Sequence, residues 1–167
     1  MALWGTSDSD ESKPKNLTTA EKKEVYATAS GWVREAGSAL SGNGNTNADP
    51  EVLVAVSGLA VSLGAADITE IEFVTTTFSK AAGVTLTVDV RFNEEVDVTG
   101  TPQLTVVNDN NANHTLSYAS GTGSNELRFQ LAIGANNAAT DAGDELSIGT
   151  NAVSLNGGTI KDKGTNT

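Results

Sequence analysis

Cysteine is absent from the 167 residues, and histidine occurs once, at His114. Disulfides, thiol nucleophiles, Cys/His zinc sites and any Cys–His triad are therefore excluded within this chain. No run approaches about 20 consecutive apolar residues, so no helical membrane span is expected. The opening stretch MALWGTSDSDESKPK contains no long apolar segment, and no secretory signal is expected from it. Positive charge is scarce: 10 Lys and Arg stand against 21 Asp and Glu, a net charge of −11. Phosphate recognition needs a basic face, so nucleic acid is not an expected partner. Aromatic residues are few, at 5%. Glycine, threonine, asparagine and serine are plentiful instead, a profile that suits a β-rich, turn-rich structural module better than a pocketed enzyme.

The acidity is uneven. Residues 1–50 hold five basic and seven acidic side chains, whereas residues 51–167 hold five and fourteen. The C-terminal part is thus the acidic body. Charge of this size favours a solvated, outward-facing surface that repels polyanions. The alternative use of paired acids is divalent cation binding.

The pattern changes along the chain. Residues 1–16 are polar apart from Leu3 and Trp4 and cannot offset their own ordering entropy. They are expected to be held by a neighbour through Trp4, or to fold back on their own domain. Thr18 precedes Glu21 by three residues, a capping box that predicts a short helix over 19–24. Residues 25–34 and 52–57 read as strands joined across the Gly/Asn/Ser loop 37–50. Such a ribbon is marginal alone and must lie against the C-terminal body or another subunit. Residues 58–67 read as a linker, which places the boundary between an N-terminal region, 1–65, and a C-terminal body, 66–167.

Short, turn-punctuated strands follow. Val84, Leu86, Val88, Val90 and Phe92 alternate with polar residues, the clearest period-2 run, with one face buried and one wet. Asn93-Glu94-Glu95 reads as a turn, with Val96 and Val98 on a short edge piece. Leu104, Val106, Leu116, Tyr118, Leu127, Phe129 and Leu131 continue the pattern. Leu146, Ile148, Val153 and Leu155 then lead to Asn156-Gly157, the preferred pair for a type I′ turn, and to Ile160. Leu86, Val88, Val90 and Phe92, the later apolar residues from Leu104 to Leu155, and Ile160 are expected in one core with Phe73. The fold class is all-β: a β-sandwich preceded by an extended arm with a β-ribbon.

Specific residues carry a resemblance. Val96-Asp97-Val98-Thr99-Gly100-Thr101-Pro102-Gln103-Leu104-Thr105-Val106 resembles the signature of bacterial immunoglobulin-like repeats. Thr115–Gly123, Glu126–Phe129, Leu146–Ile148 and Asn151–Asp162 follow in the same order, so the likeness spans about residues 66–163. It implies an Ig-like sandwich and leaves function open. Met1–Gly5, Ala27–Val33 and Pro50–Val56 resemble small virion structural proteins of marine tailed phages, notably cyanophages. That second resemblance implies a virion component, most naturally a capsid decoration or cement protein on the capsid surface. Its partners would be the major capsid protein or other virion proteins, and copies of itself, with a trimer as the simplest arrangement. Anchoring residues would be Leu3, Trp4, Tyr26, Trp32, Val33, Val52 and Val54. A neck or tail position is the alternative within that class. A module gripping a host-surface glycan through loops 108–114, 121–125 and 136–144 is the alternative outside it, although these loops contain no aromatic platform.

Catalytic chemistry finds little footing. His114 lies in a polar stretch and reads as a surface histidine rather than a base. Glu94, Glu95 and Asp97 read as solvated charge protecting an edge rather than as a glycosidase pair. No cofactor is expected. Calcium is a minor candidate, with Asp141, Asp144 and Glu145 as ligands, although no EF-hand pattern is present; the plainer reading is turn formation by Asn and Asp.

Overall fold

The computed structural model describes residues 13–14, 16–42, 44–59, 65–137 and 139–163. Leu3 and Trp4 lie outside these residues. The chain is almost wholly β. One short helix, α1 (Thr19–Lys23), precedes ten strands: β1 (Val25–Thr28), β2 (Gly31–Arg34), β3 (Glu51–Ala55), β4 (Ile68–Phe73), β5 (Val84–Thr99), β6 (Gln103–Asn108), β7 (His114–Ser120), β8 (Ser124–Ile133), β9 (Leu146–Ser154) and β10 (Thr159–Asp162). They hydrogen-bond in the order β3-β2-β1-β5-β8-β7-β6-β9, with β4 and β10 also on β5. Every pairing is antiparallel except β1 on β5, a parallel contact at Ala27 opposite Glu94.

The capping box forms as the sequence predicts. The Thr18 hydroxyl accepts from the Glu21 N–H at 3.2 Å, and the Thr18 N–H donates to the Glu21 carboxylate at 2.8 Å. The stretch 25–34 is not one strand. It is a hairpin, β1 and β2, closed tightly at Ala29-Ser30, and β3 adds to it antiparallel. Gly31 makes this possible. Its φ is +131°, and a Cβ there would meet the Val54 carbonyl oxygen at 2.0 Å, so no side chain fits. Val25, Ala27, Trp32 and Leu59 form a small core of their own, with Leu17, Leu53, Val54 and Val56 around it.

The larger core gathers the period-2 positions. Leu86, Val88, Val90, Phe92 and Val96 of β5 meet Leu104 and Val106 of β6, Leu116 of β7, Leu127, Phe129 and Ile133 of β8, and Ala152 of β9. The sheet therefore curls so that β5 and β8 face β6 and β9 across an apolar interior. Phe73, Tyr118, Leu131, Leu146, Ile148, Val153 and Ile160 pack at its margin. Leu155, expected inside, is half exposed. It sits at the mouth of the Asn156-Gly157 turn, where both residues adopt positive φ, +47° and +77°, and it belongs to no strand.

Three further expectations are corrected. First, β5 does not turn at Asn93-Glu94-Glu95. It runs on for 16 residues as a single strand. Arg91 faces Glu126 and Val96 faces Ser124, so residues 92–95 bulge opposite Asn125 alone. Asn93, Glu94 and Asn125 are buried there, because β1 docks across the bulge. Second, the polar face of β5 is largely covered beyond Thr85. Asp89 is buried under a bidentate pair with Arg128, at 2.8 and 2.7 Å. Thr87 is covered by the segment after β4, whose Val74 and Thr75 N–H groups both donate to its carbonyl. The strand after the Asn-Gly turn also finds a different partner: β10 pairs with the end of β5, Ile160 opposite Val98.

Trp32 is fully buried, so Trp32→Ala should cost about 3–5 kcal/mol in urea unfolding. Leu155→Ala should cost less than about 0.5 kcal/mol. Equal costs would mean that the small core does not contribute as described.

Candidate functional site

Two regions could carry function: the N-terminal ribbon with its fastening, and a cleft at the opposite end of the sandwich. The ribbon is fastened through Arg91. Its guanidinium meets the Glu35 carboxylate at 3.1 and 3.2 Å and Glu126 at 3.0 Å, with Glu72 at 4.0 Å. Glu35 follows β2, Glu72 lies on β4 and Glu126 on β8, so one cation ties three elements to β5. Lys23 of α1 bonds to Glu70 of β4 beside it. Arg34 of β2 pairs with Glu21 and Glu51.

Burial pushes the Glu35 and Glu126 carboxyls above their ordinary range, with Arg91 pulling the other way. The Tyr26 phenol is pushed up to about 12, by burial first and then by Glu95 and Glu35. It lies beside the same acidic surroundings.

The residues expected to anchor a partner divide sharply. Tyr26, Trp32 and Val33 are buried within the chain itself. They hold the ribbon together and to the body, and none presents a free face. Val54 is half-buried against Trp32. Val52 alone is open, at 57% exposure. Among the described residues β3 pairs with β2 only, so its other side is a sheet edge.

The cleft lies at the far end of β5. Its volume is about 890 Å³, and it runs between the segment Phe73–Ala81 and the loop Thr140–Leu146. That loop is stitched to 108–114. The Asn108 amide donates to the Ala139 carbonyl at 2.9 Å and to Asp144 at 2.8 Å. The Asn111 amide reaches both Asp144 oxygens at 3.2 Å. The Glu145 N–H donates to Asp109 at 2.8 Å. His114 is buried, not on the surface as expected, and its Nε2 lies 3.2 Å from the Thr140 hydroxyl. Burial depresses the imidazole's pKa, with Asp144 acting in the opposite sense.

The calcium candidates are accounted for in the same network. Asp144 accepts from Asn108, Asn111 and the Asp141 N–H, and these hydrogen bonds hold its carboxyl below the usual range. Asp141 faces Lys80 at 3.6 Å. Among the described residues no three His, Cys, Asp or Glu side chains converge on a common point. The loop 121–125 is likewise engaged, since the Thr122 N–H donates to the Tyr118 hydroxyl at 2.9 Å and its own hydroxyl accepts from Val98. Glu95 and Asp97 differ from their buried neighbour Glu94: Glu95 pairs with Lys163 at 2.9 Å, and Asp97 is exposed.

Sequence reasoning missed both regions' key groups. Arg91 looked like one polar position among others on an alternating strand. The cleft-lining run Thr75-Thr76-Thr77-Phe78-Ser79 has no periodicity, and only its unusual density of hydroxyls around an aromatic marks it. Comparison with protein-family models, curated proteins and solved structures finds no match.

Arg91→Met should strand Glu35 and Glu126 without a counter-charge. These carboxylates are 26% and 32% exposed. The expected cost at pH 7 is therefore about 2–3 kcal/mol, below the ~3–5 kcal/mol of a fully buried pair. Because both carboxyls titrate above the usual 4.5 in the folded chain, the native state holds their protons more tightly. Their contribution favours folding below pH 4.5 and is lost as pH rises through the raised values. The deficit of the variant should accordingly shrink on going from pH 7 to pH 5 in urea titrations. A deficit that does not change with pH would contradict the role of the carboxylates.

Proposed function

We propose that this chain is a non-enzymatic structural protein of a virus particle, a capsid decoration protein whose Ig-like sandwich faces outward. The single observation that carries this reading is the geometry of β3. Among the described residues it is the terminal strand of the sheet, carries the exposed Val52, and has its outer side unpaired, as strand addition requires. An edge left open in this way is normally blocked by charge, proline or a covering loop. Here the strand Glu51–Ala55 carries a single charge, at its first residue.

The arrangement supports an attachment role. The ribbon meets β5 at Glu94, past its middle, and the cleft runs beside the Val84 end, from Phe73 opposite Val88 to Ala135 just beyond Ile133, the partner of Val84. Six to ten positions of extended strand separate them, roughly 20–33 Å. One end can hold a shell while the other stays in solvent. The resemblance of residues 96–106 to Ig-like repeats, and of residues 1–5, 27–33 and 50–56 to phage virion proteins, supplies the context. Partners would be the major capsid protein and further copies of this chain around a local symmetry axis. Many copies would make a short edge contact collectively strong.

Quantitative mass spectrometry of purified particles tests the reading. Decoration requires a copy number comparable to that of the shell protein, whereas a dozen copies or fewer would move the chain to the neck or tail. Val52→Lys places a charge on the open edge without touching either core. It should remove most of the chain from particles while leaving its melting temperature within a few degrees. Full retention of the variant would mean that β3 is not the attachment edge.

A further inference from the structure

We propose that the cleft between residues 73–81 and 140–146 is a binding site for an uncharged carbohydrate. The argument begins with what each wall supplies. Phe73 and Phe78 are half-buried, packed on the main core, and still line the cleft. They give an apolar floor on which the C–H face of a sugar ring can lie. Thr76, Thr77 and Ser79 stand on the same wall. Among the described residues their side chains make no internal hydrogen bond, so their hydroxyls are open to a ligand as donors and acceptors. The Asp141 carboxylate on the opposite wall is 66% exposed, and only Asn111 and Lys80 approach it, at 3.4 and 3.6 Å. A carboxylate with spare acceptor capacity suits the paired hydroxyls of a pyranose.

Charge decides the class of ligand. Among the described residues Lys80 is the one cation lining the cleft, and it is engaged by the Thr140 carbonyl and Asp141. Among the described residues no free cation is left there for a phosphate, sulfate or sialic acid, and the acidic surroundings repel them. A purely apolar ligand would leave the hydroxyl wall unpaired. An amphipathic, neutral polyol satisfies both walls.

The site is also preorganised. The loop 140–146 is held by Asn108, Asn111 and Asp109, and Lys80 ties it to the facing wall. Little ordering cost therefore remains for binding. The loops alone lack an aromatic platform; the fold supplies one by bringing Phe78 from the connection between β4 and β5. The cleft's position at the end of β5 away from the ribbon leaves it accessible on an attached copy. The inference does not depend on attachment, since it concerns the chain's own cleft.

The test is a glycan array carrying neutral, sialylated and sulfated oligosaccharides, probed with the full chain and two variants. Phe78→Ala removes the platform. Asp141→Ala removes the exposed carboxylate and leaves both apolar cores untouched. Retention confined to neutral sugars, weakened about fivefold to tenfold in each variant, is the expected result. Three results would overturn the proposal: no retention of any sugar, preference for the anionic ones, or retention that Asp141→Ala leaves unchanged. Thermal melts of both variants separate lost binding from lost folding, and Asp141→Ala keeps the test decisive should Phe78→Ala unfold.

Discussion

Arg91 is the point on which the architecture turns. A guanidinium can donate in several directions at once, and this one reaches the ends or faces of β2, β4 and β8 from its place on β5. Three carboxylates compete for a single cation in a half-buried setting. The arrangement is favourable only while that cation is present, since Glu35 and Glu126 would otherwise be partly desolvated without compensation. The ribbon, which could not stand alone as a small sheet, is thereby bound to a body with a core of its own.

The apolar contacts share the load. Trp32 closes a small cluster between the ribbon, Leu17 and Leu59, while Ala27 brings β1 against the bulge at Glu94. The bulge explains the buried polar group at this junction. Opening β5 over residues 92–95 lets it change partners along its length, from β4 and β8 to β10. One long strand can thus serve the sandwich at one end and receive the ribbon in the middle.

Much of the body was legible in the sequence because its strands bury one face. Leu86, Val88, Val90, Leu104, Val106, Leu127 and Phe129 announce themselves by alternation and all reach the core. The Thr18–Glu21 cap and the Asn156-Gly157 turn were equally plain, since each depends on neighbours in sequence. What escaped depends on residues far apart in the chain. Asn93 and Glu94 are polar and imitate a turn, and only the docking of β1 buries them. The split of 25–34 into a hairpin rests on Gly31, whose required φ comes from the approach of β3. Leu155 looked like a core residue because nothing local says that the alternation ends at Ser154. Tyr26, Trp32 and Val33 looked like candidates for a partner, yet the ribbon uses them internally. The cleft shows the same limit: Phe78 and Asp141 are 63 positions apart in sequence, and no local pattern foretells their meeting.

The central claim is that the ribbon and the sandwich unfold as one unit because Arg91, Trp32 and the β1–β5 contact join them. Native-state hydrogen exchange followed by mass spectrometry tests it most directly. The account requires amides of residues 25–34 and of residues 86–92 and 127–131 to exchange with the same opening free energy, and to lose protection together on Arg91→Met. Ribbon amides that exchange far faster than the sandwich amides in the unmodified chain would contradict it.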